Sequence, residues 1–267
     1  MKVKRALGVI GDLHTGSVCA PWPEGIKTKE GVRIPPSCKQ KILNKYLNRF
    51  FAECKKYNCD TFILTGDLIH GNNRREWGTS LMTPNLNLQL RACIKLLEKH
   101  LEGKKIVGVT GSKYHDSIDF RIEREIIERL GGKFLGMMAI FPIKKTKLHA
   151  LVLHGTGGSA IYKETIMRRE ALFLQAAEGR GDIPIHIDIR IAGHWHYFSH
   201  IHIDGQHILQ VPGWTDWIPW KGVLSNYGSR IPHIGGCIIL IDDDDKIEVK
   251  EFLYKRPMIA DGIGEDI

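Results

Sequence analysis

The sequence predicts an α/β fold in which two packed mixed β-sheets are flanked by helices. Three observations predict it. Short apolar runs alternate with segments of helical periodicity in the first half, as in parallel strands joined by helices. The second half turns mostly to strands, with two hairpin signals. No repeat or linker divides residues 1–267, so we expect a single domain.

The first half predicts three strands and three helices in strict alternation. Apolar side chains recur three or four residues apart in each helix, and the third helix ends at a glycine pair, Gly131-Gly132. The predicted elements are strand 6–10, helix 37–57, strand 61–64, helix 90–101, strand 106–109 and helix 122–130.

The second half supplies the strands of the second sheet. Asp204-Gly205 and the acidic run that begins at Asp242 are typical hairpin turns. Residues 15–36 and 71–84 lack periodicity, and such long loops are usually functional lids or disordered. The predicted elements are strands 138–143 and 150–153, helix 159–177, strand 185–191, hairpin 199–211 and hairpin 237–253.

Composition narrows the class of protein. The chain is 43% hydrophobic and 25% charged, which is the balance of a globular protein, and no apolar run approaches the roughly 18 residues of a membrane span. The N-terminus lacks the pattern of an export signal, so the cytoplasm is the expected location. Six scattered cysteines without a Cys-x-x-Cys pair indicate reduced, buried thiols and argue against a thiolate zinc site.

The formal net charge of +8 and the pI of about 9.1 favour anionic partners, either nucleic acid or phosphorylated substrates. The basic residues are spread along the whole chain, however. An ordinary solvated basic surface explains them equally well.

Aspartate and histidine residues follow five of the predicted strands directly. Ligands bind at the carboxyl ends of strands in open α/β sheets, and a preceding glycine lets the backbone turn sharply there. Oxygen and nitrogen donors without sulfur suit Mn²⁺ above all, with Zn²⁺, Fe and Mg²⁺ as alternatives. A carboxylate between two ions about 3.5–4 Å apart is typical of two-metal hydrolytic sites. The residues at these strand ends are Asp12, His14, Asp67, His115, His154, His194 and His196.

The order Gly-Asp-Leu-His, Gly-Asp-Leu, Gly…His-Asp, His-Gly and Gly-His-Trp-His resembles the calcineurin-like metallophosphoesterase superfamily. The resemblance covers residues 12–196 and implies the four-layer α/β/β/α fold of that superfamily, in a compact form similar to phage- and prophage-encoded members. It implies two divalent metal ions. Asp12, His14 and His196 would bind one, His154 and His194 the other, and Asp67 would bridge them.

The third motif implies catalysis and also departs from the family. His115 matches the histidine that contacts the scissile phosphate and protonates the leaving oxygen, and the neighbouring Asp116 is expected to orient its ring. The family has an asparagine ligand directly before this histidine, whereas here Ser112 follows the glycine. We expect Ser112 or water to fill that position, with Asn72 or Asn73 as the alternative.

Other residues near the predicted cleft are ambiguous. Two interpretations remain open for four of them: they contact the substrate phosphate, or they are ordinary solvated loop residues. The four are Arg74, Arg75, Lys113 and Tyr114. A cluster of tryptophans could stack bases, but packing of the loops is favoured; its members are Trp214, Trp217 and Trp220. His200 and His202 resemble the His-x-His motif, but they lack a preceding glycine and lie within a strand, so we interpret them as unrelated to the metal site.

Together these features predict a metal-dependent hydrolase of phosphate esters, with phosphodiesterase activity favoured and nucleic acid as one class of substrate. A phosphomonoesterase acting on a nucleotide or a phosphoprotein is the first alternative. A non-catalytic metal-binding scaffold is the second, and the altered third motif is its only support.

Overall fold

The computed structural model describes residues 2–72, 78–116, 121–155, 163–216 and 232–255. Eleven strands and four helices lie within these ranges. The strands are β1 Val3–Ile10, β2 Thr61–Leu64, β3 Lys105–Gly108, β4 Lys133–Phe134, β5 Met138–Pro142, β6 His149–Leu153, β7 Ile189–Ala192, β8 Ser199–Ile203, β9 Gln206–Gln210, β10 Ile234–Asp242 and β11 Ile247–Tyr254. The helices are α1 Cys38–Lys56, α2 Leu86–Leu101, α3 Arg121–Arg129 and α4 Lys163–Arg180.

The first sheet has the strand order β11-β10-β1-β2-β3-β4. Strands β1 to β4 are parallel, while β10 pairs antiparallel with β1 and β11 pairs antiparallel with β10. Helix α1 begins with a capping box, because the Ser37 hydroxyl accepts from the Gln40 backbone and the Gln40 side chain accepts from the Ser37 backbone.

The second sheet has the strand order β5-β6-β7-β9-β8. Its three central strands are parallel, and antiparallel strands form both edges. Strand β7 begins at Ile189, four residues later than the start predicted at residue 185. That prediction depended on the alternating isoleucines before the strand. The backbone of Ile187 donates instead to the Glu178 carboxylate, at 2.9 Å, which removes that residue from the ladder.

Three apolar layers hold the elements together. Side chains between the sheets, such as Val9 and Ile63 from the first and Val152 and Ile191 from the second, form one buried cluster. Helices α1, α2 and α3 cover the outer face of the first sheet, and α4 covers β8 and β9 of the second. The predicted four-layer fold of two mixed sheets flanked by helices is therefore confirmed.

Residues 15–36 form an ordered segment and not the open loop that their lack of periodicity suggests. Trp22 is fully buried and packs with Ile26 against Leu88 and Ala92 of α2. The Gln40 side chain donates to the carbonyls of Ser17 and Ala20, both at 3.1 Å. The segment therefore packs against α1 and α2.

All six cysteines lie within the described ranges, and none takes part in a disulfide bond. Five are buried as predicted, whereas Cys38 at the start of α1 is exposed. Within the described part of the chain, the longest helices are too polar to cross a membrane.

Candidate metal centre

Six predicted ligands meet where the parallel strands of both sheets end. Asp12 and His14 follow β1, Asp67 follows β2, His154 follows β6, and His194 and His196 follow β7. Four of these side chains are buried, at 0% exposed for Asp12 and 4% or less for His14, Asp67 and His154. His194 and His196 are partly exposed, so the site opens to solvent on the β7 side.

Asp12, His14 and His196 form one ligand cluster. The Nε2 atom of His196 lies 3.3 Å from Oδ1 of Asp12 and 3.0 Å from Nε2 of His14. The Nε2 atom of His14 lies 3.9 Å from the same carboxylate oxygen. One carboxylate and two imidazole nitrogens therefore face a common point.

Asp67, His154 and His194 form the second cluster. The Nε2 atom of His154 lies 2.9 Å from Oδ2 of Asp67 and 3.3 Å from Nδ1 of His194. The same Asp67 oxygen is 3.9 Å from Nε2 of His14, which belongs to the first cluster. Asp67 thus lies between the two clusters, the position expected of a bridging carboxylate.

The donors fit divalent metal ions. Two imidazole nitrogens bound tetrahedrally to one Zn²⁺ at about 2.0–2.1 Å lie about 3.3 Å apart. The His154–His194 pair matches this separation, and the His14–His196 pair is slightly closer, at 3.0 Å. Carboxylate and imidazole donors suit hard to borderline cations, and no thiolate contributes to either cluster.

Five of the six ligands have left-handed backbone conformations. The φ angles are 50° at Asp12, 45° at His14, 51° at Asp67, 81° at His194 and 54° at His196. Each such conformation costs a non-glycine residue about 1 kcal/mol or more and is typical of functional sites. The strained turns direct successive side chains into one cleft directly after the strands.

Burial and neighbouring charges shift the pKa values of the clustered side chains in opposite directions. Burial alone would raise the pKa of Asp67, but the charge of His154, and secondarily that of His115, holds it well below its ordinary value. Burial would likewise lower the pKa of His154, yet the carboxylates of Asp67 and Asp12 raise it to about 10. Burial and the neighbouring imidazoles lower the pKa of His14, so that side chain is neutral with a lone pair available.

Outer hydrogen bonds orient the ligands. The Nδ1 atom of His154 donates to the Thr65 carbonyl at 2.8 Å, which directs Nε2 towards the centre. The backbone of His194 donates to both oxygens of Asp12, at 3.1 and 3.0 Å. Gly193 allows this approach, because a Cβ atom there would lie 2.6 Å from the Asp12 carboxylate.

The altered third motif contacts the shared carboxylate. The Ser112 backbone donates to Oδ1 of Asp67 at 2.7 Å, and its hydroxyl lies 3.3 Å from Oδ2. Ser112 therefore lies beside the second cluster, at the position where the resemblance predicts an asparagine. Metal ligation by Ser112 or by water stays a prediction, and Asn73 lies outside the described residues.

His115 is brought to the centre, where the His70 carbonyl holds its ring. The Nδ1 atom of His115 lies 2.7 Å from the His70 carbonyl, and its Nε2 lies 3.9 Å from Oδ2 of Asp67. Because a carbonyl only accepts, Nδ1 must carry a proton and Nε2 faces the cleft. The Asp116 carboxylate accepts from the backbones of Ile122 and Glu123 at the start of α3. The His70 carbonyl thus holds Nδ1 of His115, and the orienting role expected of Asp116 stays a prediction.

Sequence reasoning missed two residues at the centre. His70 forms a third group with His14 and His115, whose nearest ligand atoms all lie within 4.8 Å. Glu123 is 1% exposed and accepts from the backbones of Leu68 and Gly111, so it joins the loops that carry Asp67 and Ser112. Only the position of His70, three residues after Asp67, could have indicated from the sequence that it lies at the centre. Glu123 gave no such indication.

The remaining predicted contacts are only partly described. Lys113 and Tyr114 are exposed beside His115, while Arg74 and Arg75 lie outside the described residues. Trp214 is fully buried, with its ring 5.7 Å from that of Phe50, so it packs the core as favoured. Trp217 and Trp220 lie outside the described ranges. His200 and His202 lie on β8, away from the centre.

Two mixed sheets flanked by helices, with these side chains after β1, β2, β6 and β7, form the architecture that the resemblance to calcineurin-like metallophosphoesterases predicts. No protein-family model matches the sequence, and no curated protein matches it.

Solved structures with this architecture include proteins of different roles. An archaeal phosphodiesterase is 14% identical, with a TM-score of 0.47 over 93% of this chain and 99% of its own. Vacuolar protein sorting 29 from Cryptosporidium parvum is 14% identical, with a TM-score of 0.45 over 95% of this chain and 99% of its own. A predicted phosphoesterase from Streptococcus pneumoniae is 12% identical, with a TM-score of 0.38 over 94% and 98%. Likenesses this distant assign no activity to this chain.

Proposed function

We propose that the protein is a dinuclear metal-dependent phosphodiesterase. The observation that carries the proposal is the pair of ligand clusters joined at Asp67, with Nε2 of His154 at 2.9 Å and Nε2 of His14 at 3.9 Å from one carboxylate oxygen. Two-metal sites of this kind hydrolyse phosphate esters by in-line displacement. The net charge of +8 favours an anionic substrate.

The predicted ligands would hold the two ions. Asp12, His14 and His196 would bind one, His154 and His194 would bind the other, and Asp67 would contact both. Once bound, such ions neutralise phosphoryl charge and supply a nucleophile at neutral pH. Ser112 supports the shared carboxylate through its backbone N–H, at 2.7 Å. We favour Mn²⁺ for both positions.

His115 is the proton donor in this proposal. The His70 carbonyl fixes the proton on Nδ1, so the imidazole exchanges its second proton at Nε2. That atom faces the cleft and is 3.9 Å from the shared carboxylate, on the side where a substrate phosphate would contact both clusters. A protonated His115 therefore delivers its Nε2 proton to the leaving oxygen of the ester.

The exposed residues next to His115 favour a diester over a monoester. Lys113 and Tyr114 extend beside the cleft, where they can contact the second ester group of a diester. A nucleic-acid backbone is one such substrate, and the basic charge of the chain favours it.

The test compares bis-p-nitrophenyl phosphate with p-nitrophenyl phosphate in the presence of Mn²⁺. We expect faster turnover of the diester. A strong preference for the monoester would contradict the proposal and support a phosphomonoesterase. If the metal-loaded protein hydrolyses neither ester, it is a non-catalytic scaffold.

Replacing His115 tests its role separately. His115→Gln should lower kcat by about 10²–10⁴-fold while metal content stays unchanged. The loss should be greater for diphenyl phosphate than for bis-p-nitrophenyl phosphate, because p-nitrophenolate leaves readily without a proton. His186→Gln is the matched control, since His186 is exposed and paired with Glu178. Equal losses on both esters would argue that His115 only positions the substrate.

A further inference from the structure

Three histidines converge on the β8–β9 hairpin, outside the candidate metal centre. His200 and His202 are two residues apart on β8, so their side chains lie on the same face of the strand. His207 on β9 pairs directly with His202 in the antiparallel register. All three side chains therefore lie on one face of the hairpin.

The rings are in contact. The Nε2 atom of His200 lies 2.9 Å from Nδ1 of His207, and the ring of His202 stacks on that of His207 with centroids 4.3 Å apart. Two nitrogens bound to one tetrahedral Zn²⁺ lie about 3.3 Å apart. The two nitrogens of His200 and His207 therefore need to move apart only slightly to bind one ion. His202 is exposed and can rotate to present its own ring nitrogen.

Burial favours the neutral form of two of these imidazoles, those of His207 and His200. Burial, together with His202 and His200, lowers the pKa of His207 to about 4, and burial with His202 lowers the pKa of His200. The charge of Glu251 on β11 partly opposes the shift at His200, so a carboxylate also faces the cluster. Neutral imidazole is the form that binds a metal ion.

The hairpin lines a cavity of about 360 Å³. His202 and His207 contribute to its wall together with Asp188, Asp245 and Lys246. Asp188 adds a carboxylate on the side of His207. The Lys246 ammonium opposes a cation there, although it lies 4.0 Å from the Asp244 carboxylate and is largely exposed to solvent.

The cluster is separate from the candidate metal centre. His207 pairs with Ile189 at the amino end of β7, whereas His194 follows the carboxyl end of that strand. Five residues of extended chain span about 16 Å, which separates His202 and His207 from His194. His200 lies level with Ile191, two strands away from β7, and belongs to neither cluster of the candidate centre.

We propose that His200, His202 and His207 form an additional binding site for a borderline divalent metal ion of the Zn²⁺ or Cu²⁺ class. Imidazole nitrogens are preferred ligands of such ions. Once His202 rotates towards the other two rings, three imidazoles on adjacent strands would bind the ion and leave one position open. The proposal does not depend on the phosphodiesterase activity, because no ligand is shared.

Metal stoichiometry tests the proposal. Full-length protein is dialysed to equilibrium against Zn²⁺, and the bound metal is counted for the wild type and for His202→Gln/His207→Gln. The double variant should lose one equivalent of Zn²⁺ and retain its phosphodiesterase activity. His186→Gln, which changes an exposed histidine outside the cluster, should retain every equivalent. Equal stoichiometry in the wild type and the double variant would overturn the proposal.

Cu²⁺ electron paramagnetic resonance provides a second readout. In an Asp67→Asn background, which weakens the candidate centre, the remaining Cu²⁺ signal should show splitting from several nitrogens. The additional change His200→Gln should reduce that splitting and weaken Cu²⁺ binding by about 100-fold or more. If His200→Gln leaves the spectrum unchanged, these histidines bind no metal. Circular dichroism identifies a variant that has failed to fold, and the alternative single variant His207→Gln then replaces it.

Discussion

The Nε2 atom of His154 lies 2.9 Å from Oδ2 of Asp67, and the other nitrogen of that ring lies 2.8 Å from the Thr65 carbonyl. Both ring nitrogens face acceptors, which agrees with a His154 pKa raised to about 10. A proton and a metal ion compete for the same Nε2 lone pair. The pair therefore couples metal binding to proton release.

Asp67→Asn removes the charge that joins the two clusters. We expect metal affinity at both positions to fall by more than the roughly 10–100-fold caused by loss of an outer hydrogen-bonding partner. Isothermal titration with Mn²⁺ measures the change. Retention of two tight sites in Asp67→Asn would show that Asp67 bridges nothing.

Gly111→Ala tests the close contact between the second and third ligand loops. A Cβ atom at Gly111 would overlap the backbone nitrogen and Oδ1 of Asp67, so one of the two loops would have to shift. We expect a loss of about 1–3 kcal/mol in unfolding free energy, together with weaker metal binding. Urea unfolding of the metal-free protein measures the loss in unfolding free energy.

The matched control for this substitution is Gly179→Ala in α4. A Cβ atom at Gly179 would have no heavy atom within 4 Å, and the residue has no left-handed φ. Alanine there should stabilise the protein by about 0.5–1 kcal/mol, because it favours the helix. Similar destabilisation by both substitutions would contradict a specific contact at Gly111.

Local sequence patterns were sufficient to predict which aspartate and histidine side chains meet at the centre, and metal binding by them stays a prediction. Asp12, Asp67 and His154 each follow a short apolar strand, and the fold brings the carboxyl ends of these strands together. Both hairpin turns were likewise predictable. The expectation that both hairpins belong to the second sheet is wrong, however, because β10 pairs with β1 and brings β11 into the first sheet. The start of β7 was not predictable, because a contact with Glu178 on α4 interrupts an alternating apolar pattern.

Long-range contacts explain what the sequence does not reveal. Glu123 lies in a charged helical segment and would be assigned to the surface, yet it reaches Leu68, 55 residues earlier in the chain. The left-handed φ angles at Asp12 and His194 also cannot be predicted from the residue types, since aspartate and histidine occur in ordinary backbone conformations as well. Tertiary packing around the centre imposes them.

Glu123→Ala tests the residue that joins the ligand loops. The substitution leaves the backbone N–H groups of Leu68 and Gly111 buried without their acceptor. Each unsatisfied group costs roughly 1–3 kcal/mol, and metal affinity should fall about 10–100-fold. Glu125→Ala on the same helix removes only a surface pair with Arg129, so unfolding free energy should change by about 0.5 kcal/mol or less. Equal effects of the two substitutions in urea unfolding would refute a bridging role for Glu123.

His100 makes folding sensitive to acid. Its ring stacks on Phe51 with centroids 4.2 Å apart, and Nε2 lies 2.9 Å from the Asn48 side-chain oxygen. Burial, and secondarily Lys99, lowers the pKa of His100 from 6.5 to about 4. Because the unfolded chain binds this proton more readily, the contribution to stability is complete above pH 6.5 and is lost as the pH falls towards 4.

His100→Gln should therefore make stability less dependent on pH. Between about pH 7 and about pH 5, we expect the wild type to lose about 1 kcal/mol more than the variant, a value reduced for the partial exposure of the ring. Loss of the Phe51 stacking affects both pH values alike and cancels in the comparison. Urea unfolding at the two pH values gives the difference, and identical losses in both proteins would show that His100 titrates normally in the folded state.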